Sequence, residues 1–258
     1  MLEQNSYNYV NQDKTLKNKF YSKVFLYFGI GILVTAGICV VASLIFNSLW
    51  NAGDEEALSK FLMYYMVVLG ISLIGMIIVS FVISFSVSRG RTKPLIPYIL
   101  YTIFMGVFTS SFTIFIQNPY IIGLALAITA VLFLLLGFLG IISSDHMKVW
   151  IRVVIGLSIA IGLLMLVNFV LIPFAFFGGY TDAYYAMNKI YLLVEALILI
   201  VFLIYTAIDF ARMKRIAESY TELNNNEAIY CALMLYSDFV VIFRYVLRFL
   251  LLILRNRR

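Results

Sequence analysis

Long apolar stretches separated by short polar ones set the pattern of this chain. The apolar stretches run roughly over Val24–Trp50, Phe61–Val87, Leu95–Gln117, Tyr120–Ile142, Val149–Phe177, Ile190–Phe210 and Ile229–Leu254. Each is long enough for a helix to cross a hydrocarbon core, which takes about 20 residues for ~30 Å. Inside lipid a helix is the element that satisfies its own backbone polar groups. The pattern predicts an all-α polytopic membrane protein, a seven-helix bundle over residues 23–258, preceded by a weakly ordered tail over 1–22 rich in Asn, Tyr and Lys. Pro94 and Pro97 fall in the first turn of the third stretch and Pro119 just before the fourth, where a missing N–H costs least. Pro173 lies deeper and is expected to bend the end of the fifth helix. Gly29 with Gly31, and Gly137 with Gly140, are expected at close helix contacts.

Composition adds a physical exclusion. Of 258 residues 63% are hydrophobic and 12% charged, too little polar surface to coat a globule in water. The net charge of +6 is read through its distribution as a topology signal, and no nucleic-acid partner is expected. Lys14, Lys17, Lys19 and Lys23 precede the first stretch, whereas Asp54, Glu55 and Glu56 follow it. Arg89, Arg91 and Lys93 follow the second stretch, and Arg212, Lys214 and Arg215 follow the sixth. This alternation predicts a cytoplasmic N-terminus. With seven crossings it leaves Arg255, Arg257 and Arg258 on the other side, so the last segment either spans against the rule or re-enters. The first 22 residues show neither a short apolar core nor a small-residue cleavage site, which is expected of a bacterial plasma membrane protein, with an internal eukaryotic membrane as the alternative. Cys39 and Cys231 lie inside apolar stretches and do not form a disulfide framework.

Charges inside the last stretch need a reason, because each is expensive in hydrocarbon. At ~100° per residue neither Arg244 nor Arg248 shares the face of Asp238. A partner for Asp238 is therefore expected on another helix, and Asp209 near the end of the sixth stretch is the candidate. Beyond Phe210 an apolar stripe of Met213, Ile216, Tyr220 and Leu223 continues the helix, and Ala228, Cys231 or Ala232, and Leu235 match it on the far side of "NNNE". An antiparallel hairpin centred between Leu223 and Asn224 puts Asp209 and Asp238 at one level, each ~21 Å from the tip. The bland alternative is that Asp209 pairs with Arg212 and Asp238 caps a water pocket.

Two carboxylates brought together repel, and so share a proton and titrate as a unit. Such a pair senses pH. Doubly ionised, it attracts a hard cation such as Ca²⁺, which prefers oxygen ligands. Arg89 or Arg91 at the inner end of the second helix could instead hold the ionised form, unless each is simply a cytoplasmic anchor. Glu195, ~21 Å from Asp209 along the sixth helix, either lines the outer end of an ion path or sits at the outer interface beside Lys189.

"TAIDFARMK" at 206–214 and "ALMLYSDFVVIF" at 232–243 resemble the two signature segments of the Bax inhibitor-1 family, also called the transmembrane Bax-inhibitor-motif family. Pro94, "GVFTSS" at 106–111, Asp145 and "LVNF" at 166–169 are weaker matches. The resemblance implies a seven-helix protein whose last helix is central, associated with pH-sensitive calcium leak and with stress or cell-death control. It carries the family's aspartate pair to Asp209 and Asp238 and its helix-two arginine to Arg89 or Arg91. The chain departs from the family in having no acidic residue in the second helix, Ile208 where an aromatic is usual, and Glu195 in the sixth helix.

The functional expectation is a pH-sensitive calcium leak channel gated by the aspartate pair, acting on Ca²⁺ and protons, with no cofactor beyond Ca²⁺ as ligand or permeant ion and no enzymatic activity. A non-conducting scaffold that regulates a membrane partner protein is the rival. An intramembrane aspartyl protease also uses two aspartates, but Tyr236-Ser237-Asp238 stands where a Gly-x-Gly-Asp segment belongs. His146 is the lone histidine, too few ligands for zinc hydrolysis.

Overall fold

The computed structural model describes the backbone of residues 2–89, 94–116, 118–143, 147–177, 181–219 and 225–255. Side chains are described within 14–85, 94–116, 118–143, 149–163, 165–166, 193–218 and 226–254. Seven helices account for nearly all of it: α1 Leu2–Ala52, α2 Glu55–Arg89, α3 Leu95–Thr113, α4 Pro119–Ile142, α5 Met147–Phe177, α6 Thr181–Ser219 and α7 Asn225–Arg255. The described residues contain no strand. α1 begins at Leu2, so the backbone of the expected tail is helical and continuous with the first apolar stretch.

Local chemistry sets the turns. Gly53 takes φ +67° after α1 and donates its N–H to the Trp50 carbonyl at 3.2 Å, closing that helix in a left-handed residue that suits glycine. Asp54 then caps α2, its Oδ1 accepting the Ala57 N–H at 2.9 Å, while Glu55 and Glu56 sit favourably at the positive end of the helix. Asn118 does the same before α4, accepting the Tyr120 N–H at 3.0 Å, with Pro119 at the first helical position.

α1, α2, α3, α4 and α6 each contain a described stretch long and apolar enough to cross a membrane. In α5 the described apolar run is the shorter Val149–Leu163. α7 carries Asp238, Arg244 and Arg248 but runs unbroken for 31 residues, about 46 Å. It does not turn back within them, which is the continuous rather than the re-entrant form of the two expected. Large apolar side chains such as Met66, Ile74 and Phe81 on α2 are exposed, as suits a lipid-facing helix and not one in water. The protein is an all-helical integral membrane protein of the polytopic class.

The chain divides into two compact units, Met1–Ala127 with Arg215–Val240, and Ile128–Lys214 with Val241–Arg258. In the first unit α3 packs against both α1 and α2. Its buried face, Tyr98, Tyr101, Thr102, Met105, Gly106, Thr109, Ser110 and Thr113, is rich in hydroxyls. Several of these satisfy themselves on the helix's own carbonyls, Thr102 on Ile99 at 2.8 Å and Ser110 on Val107 at 2.8 Å. Others cross between helices: Tyr98 donates to the Tyr27 carbonyl at 2.6 Å, Tyr65 bonds Ser110 at 2.8 Å, and Thr35 bonds Tyr236. The α7 residues Cys231, Ala232, Leu233, Met234, Leu235 and Tyr236 are all buried. Six consecutive residues cover every side of a helix, so this stretch of α7 is enclosed all round.

The second unit has an aliphatic core of Val154 and Ile161 from α5 with Val194, Val201 and Ile208 from α6. α4 closes on α6 through glycines. A Cβ at Gly140 would stand 2.2 Å from the Ala207 carbonyl oxygen, and one at Gly137 3.1 Å from the Phe210 ring. Gly31 is equally tight, with the Tyr98 hydroxyl 2.5 Å from where a Cβ would sit. Gly29 departs from expectation. It meets nothing within 4 Å, because two residues further along a helix is some 200° round from Gly31 and faces away from the contact.

Candidate functional site

Carboxylates buried in apolar helices are the chemistry that stands out. Asp209, on α6 in the second unit, is 6% exposed between Ile208 and Phe210, themselves 4% exposed. The Arg212 Nη1, one turn on, lies 3.4 Å from its Oδ1, an ion-pair distance without hydrogen-bond geometry. The i,i+3 pairing of Asp209 with Arg212 is thus present. Asp238, on α7 in the first unit, is 7% exposed and flanked by Tyr236, Phe239 and Val240, all buried. The two aspartates belong to different units, and each is described in its own surroundings.

Sequence reasoning left Glu195 without a partner. The structure supplies one: Glu195 is 4% exposed and its Oε1 sits 2.5 Å from Nη1 of Arg248 on α7. Both residues lie in the second unit. The antiparallel arithmetic that would level Asp209 with Asp238 also brings Glu195 to within about one helical turn of Arg248, which fixes depth but not the facing side. Glu195 Oε2 has no hydrogen-bond partner among the described residues. The hydroxyl-lined face of α3 also went unread, though its spacing of three and four residues from Tyr98 to Thr113 is visible in the sequence.

α6 extends past Phe210 to Ser219 as the apolar stripe requires, with Met213 of that stripe buried and Ile216 half-buried. Ala228, Cys231, Ala232 and Leu235 are buried at the start of α7, again as expected. Arg91, Asp145, His146, Tyr220 and Leu223 lie outside the described residues, as do the side chain of Arg89 and that of Pro173. Among the described residues no three His, Cys, Asp or Glu side chains group as a metal site.

A family model described as "Inhibitor of apoptosis-promoting Bax1" matches residues 17–256, which is most of the chain. The chain belongs to this Bax inhibitor-1 family. The chain is also similar to an uncharacterized protein of Borreliella burgdorferi, 26% identical over 249 residues that cover 93% of this chain and 94% of the relative. No solved structure matches. The Bax inhibitor-1 match includes α6 and α7 and therefore both aspartate segments.

Proposed function

We propose that the protein is a pH-sensitive calcium leak pathway in which Asp209 and Asp238 form one titrating pair. The observation that carries this reading is that both carboxylates are buried within α6 and α7 of a Bax inhibitor-1 family member. Carboxylates kept inside a membrane bundle, where solvation is poor, are functional candidates by default. On the sequence pattern, an antiparallel hairpin centred between Leu223 and Asn224 would set the two at one level. Facing each other, they share a proton in acid and repel once both ionise, so the ionised pair takes up a counter-ion. Arg212 is one such counter-ion and Ca²⁺ is another. Two carboxylates supply at most four of the six to eight oxygens that Ca²⁺ takes, so carbonyls and water complete the shell. Arg89 or Arg91 serves as a further counter-ion, and Glu195 stands on the same helix toward the opposite end. The N-terminus is cytoplasmic and the membrane is a bacterial plasma membrane. No catalytic step is assigned to any residue.

The Asp209–Arg212 ion pair favours a second reading. An aspartate already neutralised in place could lock a sealed bundle that regulates a partner protein without conducting. Calcium flux separates the two. Purified protein in liposomes loaded with a Ca²⁺ indicator should pass Ca²⁺ at a rate that changes with pH. Flux equal to that of protein-free liposomes at every pH removes the leak reading and leaves the scaffold.

A further inference from the structure

A cleft of about 300 Å³ opens in the second unit between α4, α5 and α6. Leu136, Gly140 and Ser143 line it from α4, Trp150 from α5, and Leu203 and Ala207 from α6. Its volume is at the lower end of ordinary ligand sites, about 300–1,000 Å³. The close approach of Gly140 to the Ala207 carbonyl draws α4 and α6 together there. Trp150, 43% exposed, stands at the margin with Leu139, 54% exposed.

Such a cleft in a membrane protein has few choices of occupant. Its walls are aliphatic and aromatic apart from Ser143, so water would lack the two to four polar partners it needs to stay. An empty cleft open to hydrocarbon would forfeit dispersion contacts on both sides. The surrounding solvent is itself made of flexible apolar chains that can enter. A basic residue outside the lining stands next to the cleft. Lys214 donates to the Ile141 carbonyl at 3.1 Å, and Ile141 lies between the lining residues Gly140 and Ser143. Ser143 is at the C-terminal end of α4 and Trp150 in the first turn of α5, so this end of the cleft lies at the helix ends, where lipid headgroups reside.

We propose that this cleft binds one acyl chain of an anionic phospholipid, with its phosphate held at the Lys214 end. The site is independent of the calcium reading and survives its failure. Basic pockets between membrane helices recognise anionic headgroups by this chemistry.

Trp150 provides the readout, because the chain has only one other tryptophan, Trp50. In full-length Trp50→Phe protein, quenching by brominated-chain phosphatidylglycerol diluted into phosphatidylcholine gives the relative affinity of the two lipids at Trp150. A preference of about fivefold for the anionic lipid is expected, equivalent to the ~1 kcal/mol that one basic residue adds near an anionic surface. Lys214→Gln should bring the ratio close to one, and Lys214→Arg should keep it. Ser143→Phe, which places a ring in the cleft, should lower quenching by both lipids, with monodisperse elution confirming that each variant folds. A ratio of one in the starting protein overturns the proposal. So does a preference that persists in both Lys214→Gln and Ser143→Phe. Trp150 shielded from every brominated lipid, and unmasked on dilution, would show a second copy of the chain in the cleft and overturn it equally.

Discussion

Glu195 Oε1 and Arg248 Nη1 stand 2.5 Å apart, joining α6 to α7 through a charge-assisted contact. The two ends of the pair are not equivalent. The Glu195 side chain is 5% exposed, whereas that of Arg248 is 45% exposed. Breaking the pair from one side therefore leaves a buried carboxylate, and from the other a guanidinium that can turn its long stem toward a polar surface.

Removing the cation should consequently harm stability more than removing the anion. Arg248→Gln is expected to destabilise by about 3 kcal/mol, near the range for an orphaned buried charge. Glu195→Gln should cost about 1 kcal/mol, closer to an exposed pair. The double variant should be more stable than Arg248→Gln alone, since the two residues share one interaction and do not add. Thermal unfolding of the four proteins in one detergent gives the cycle, and equal losses for the two single changes would contradict the asymmetry.

Helix packing offers a paired test at two glycines. Gly140→Ala puts a methyl 2.2 Å from a backbone carbonyl of Ala207, which cannot rotate away. It should destabilise by about 2 kcal/mol or more, within the range for overpacking. Gly29→Ala meets open space and should be neutral, or stabilising by up to ~1 kcal/mol through helix propensity. Unfolding midpoints that move equally for both would show that the α4–α6 approach is looser than drawn.

Much of this architecture was legible because a bilayer imposes a strong and simple constraint. Stretch length and apolarity located the helices, and proline placed the starts of α3 and α4. Stripe members Met213, Ala228, Cys231, Ala232 and Leu235 are buried, although burial in α7 extends all round the helix from Cys231 to Tyr236. Partner choice was harder to read. Glu195 could be placed along its helix but not joined to Arg248, because a face assigned relative to Asp238 says where Arg248 does not point and leaves its contact open. Gly29 and Gly31 looked alike as small residues, and the Tyr98, Tyr236 and Thr102 side chains that face Gly31 distinguish them. The cleft beside Trp150 has no sequence signature, since its lining is ordinary apolar helix drawn from three separate helices.

The proposed sidedness rests on the basic residues and can be read chemically. Cys39 is half-buried and Cys231 buried, so both are replaced by Ala before new cysteines are introduced. A cysteine at Ser219, the last residue of α6, or at Asn225, the first of α7, should then react with a membrane-impermeant maleimide only in inverted vesicles. Reaction in intact cells would place the α6–α7 connection outside and reverse the proposed orientation.

The aspartate pair has the most exacting test. If Asp209 and Asp238 titrate as one unit, Asp209→Asn and Asp238→Asn should each remove most of the pH dependence of calcium flux, because either abolishes proton sharing at nearly constant volume. The sign is fixed by competition: protons and Ca²⁺ seek the same oxygens, so Ca²⁺ occupancy of the starting protein should fall as pH falls, and each Asn variant should flatten that response. The double variant should add little to either single one, since residues acting as a unit are not additive. Arg212→Gln addresses the bland alternative directly. If the 3.4 Å ion pair with Arg212 is the whole role of Asp209, that change should mimic Asp209→Asn while Asp238→Asn leaves the pH response intact. If the pair is real, the two aspartate variants resemble each other more than either resembles Arg212→Gln, and additive, unrelated effects of the two would dissolve it.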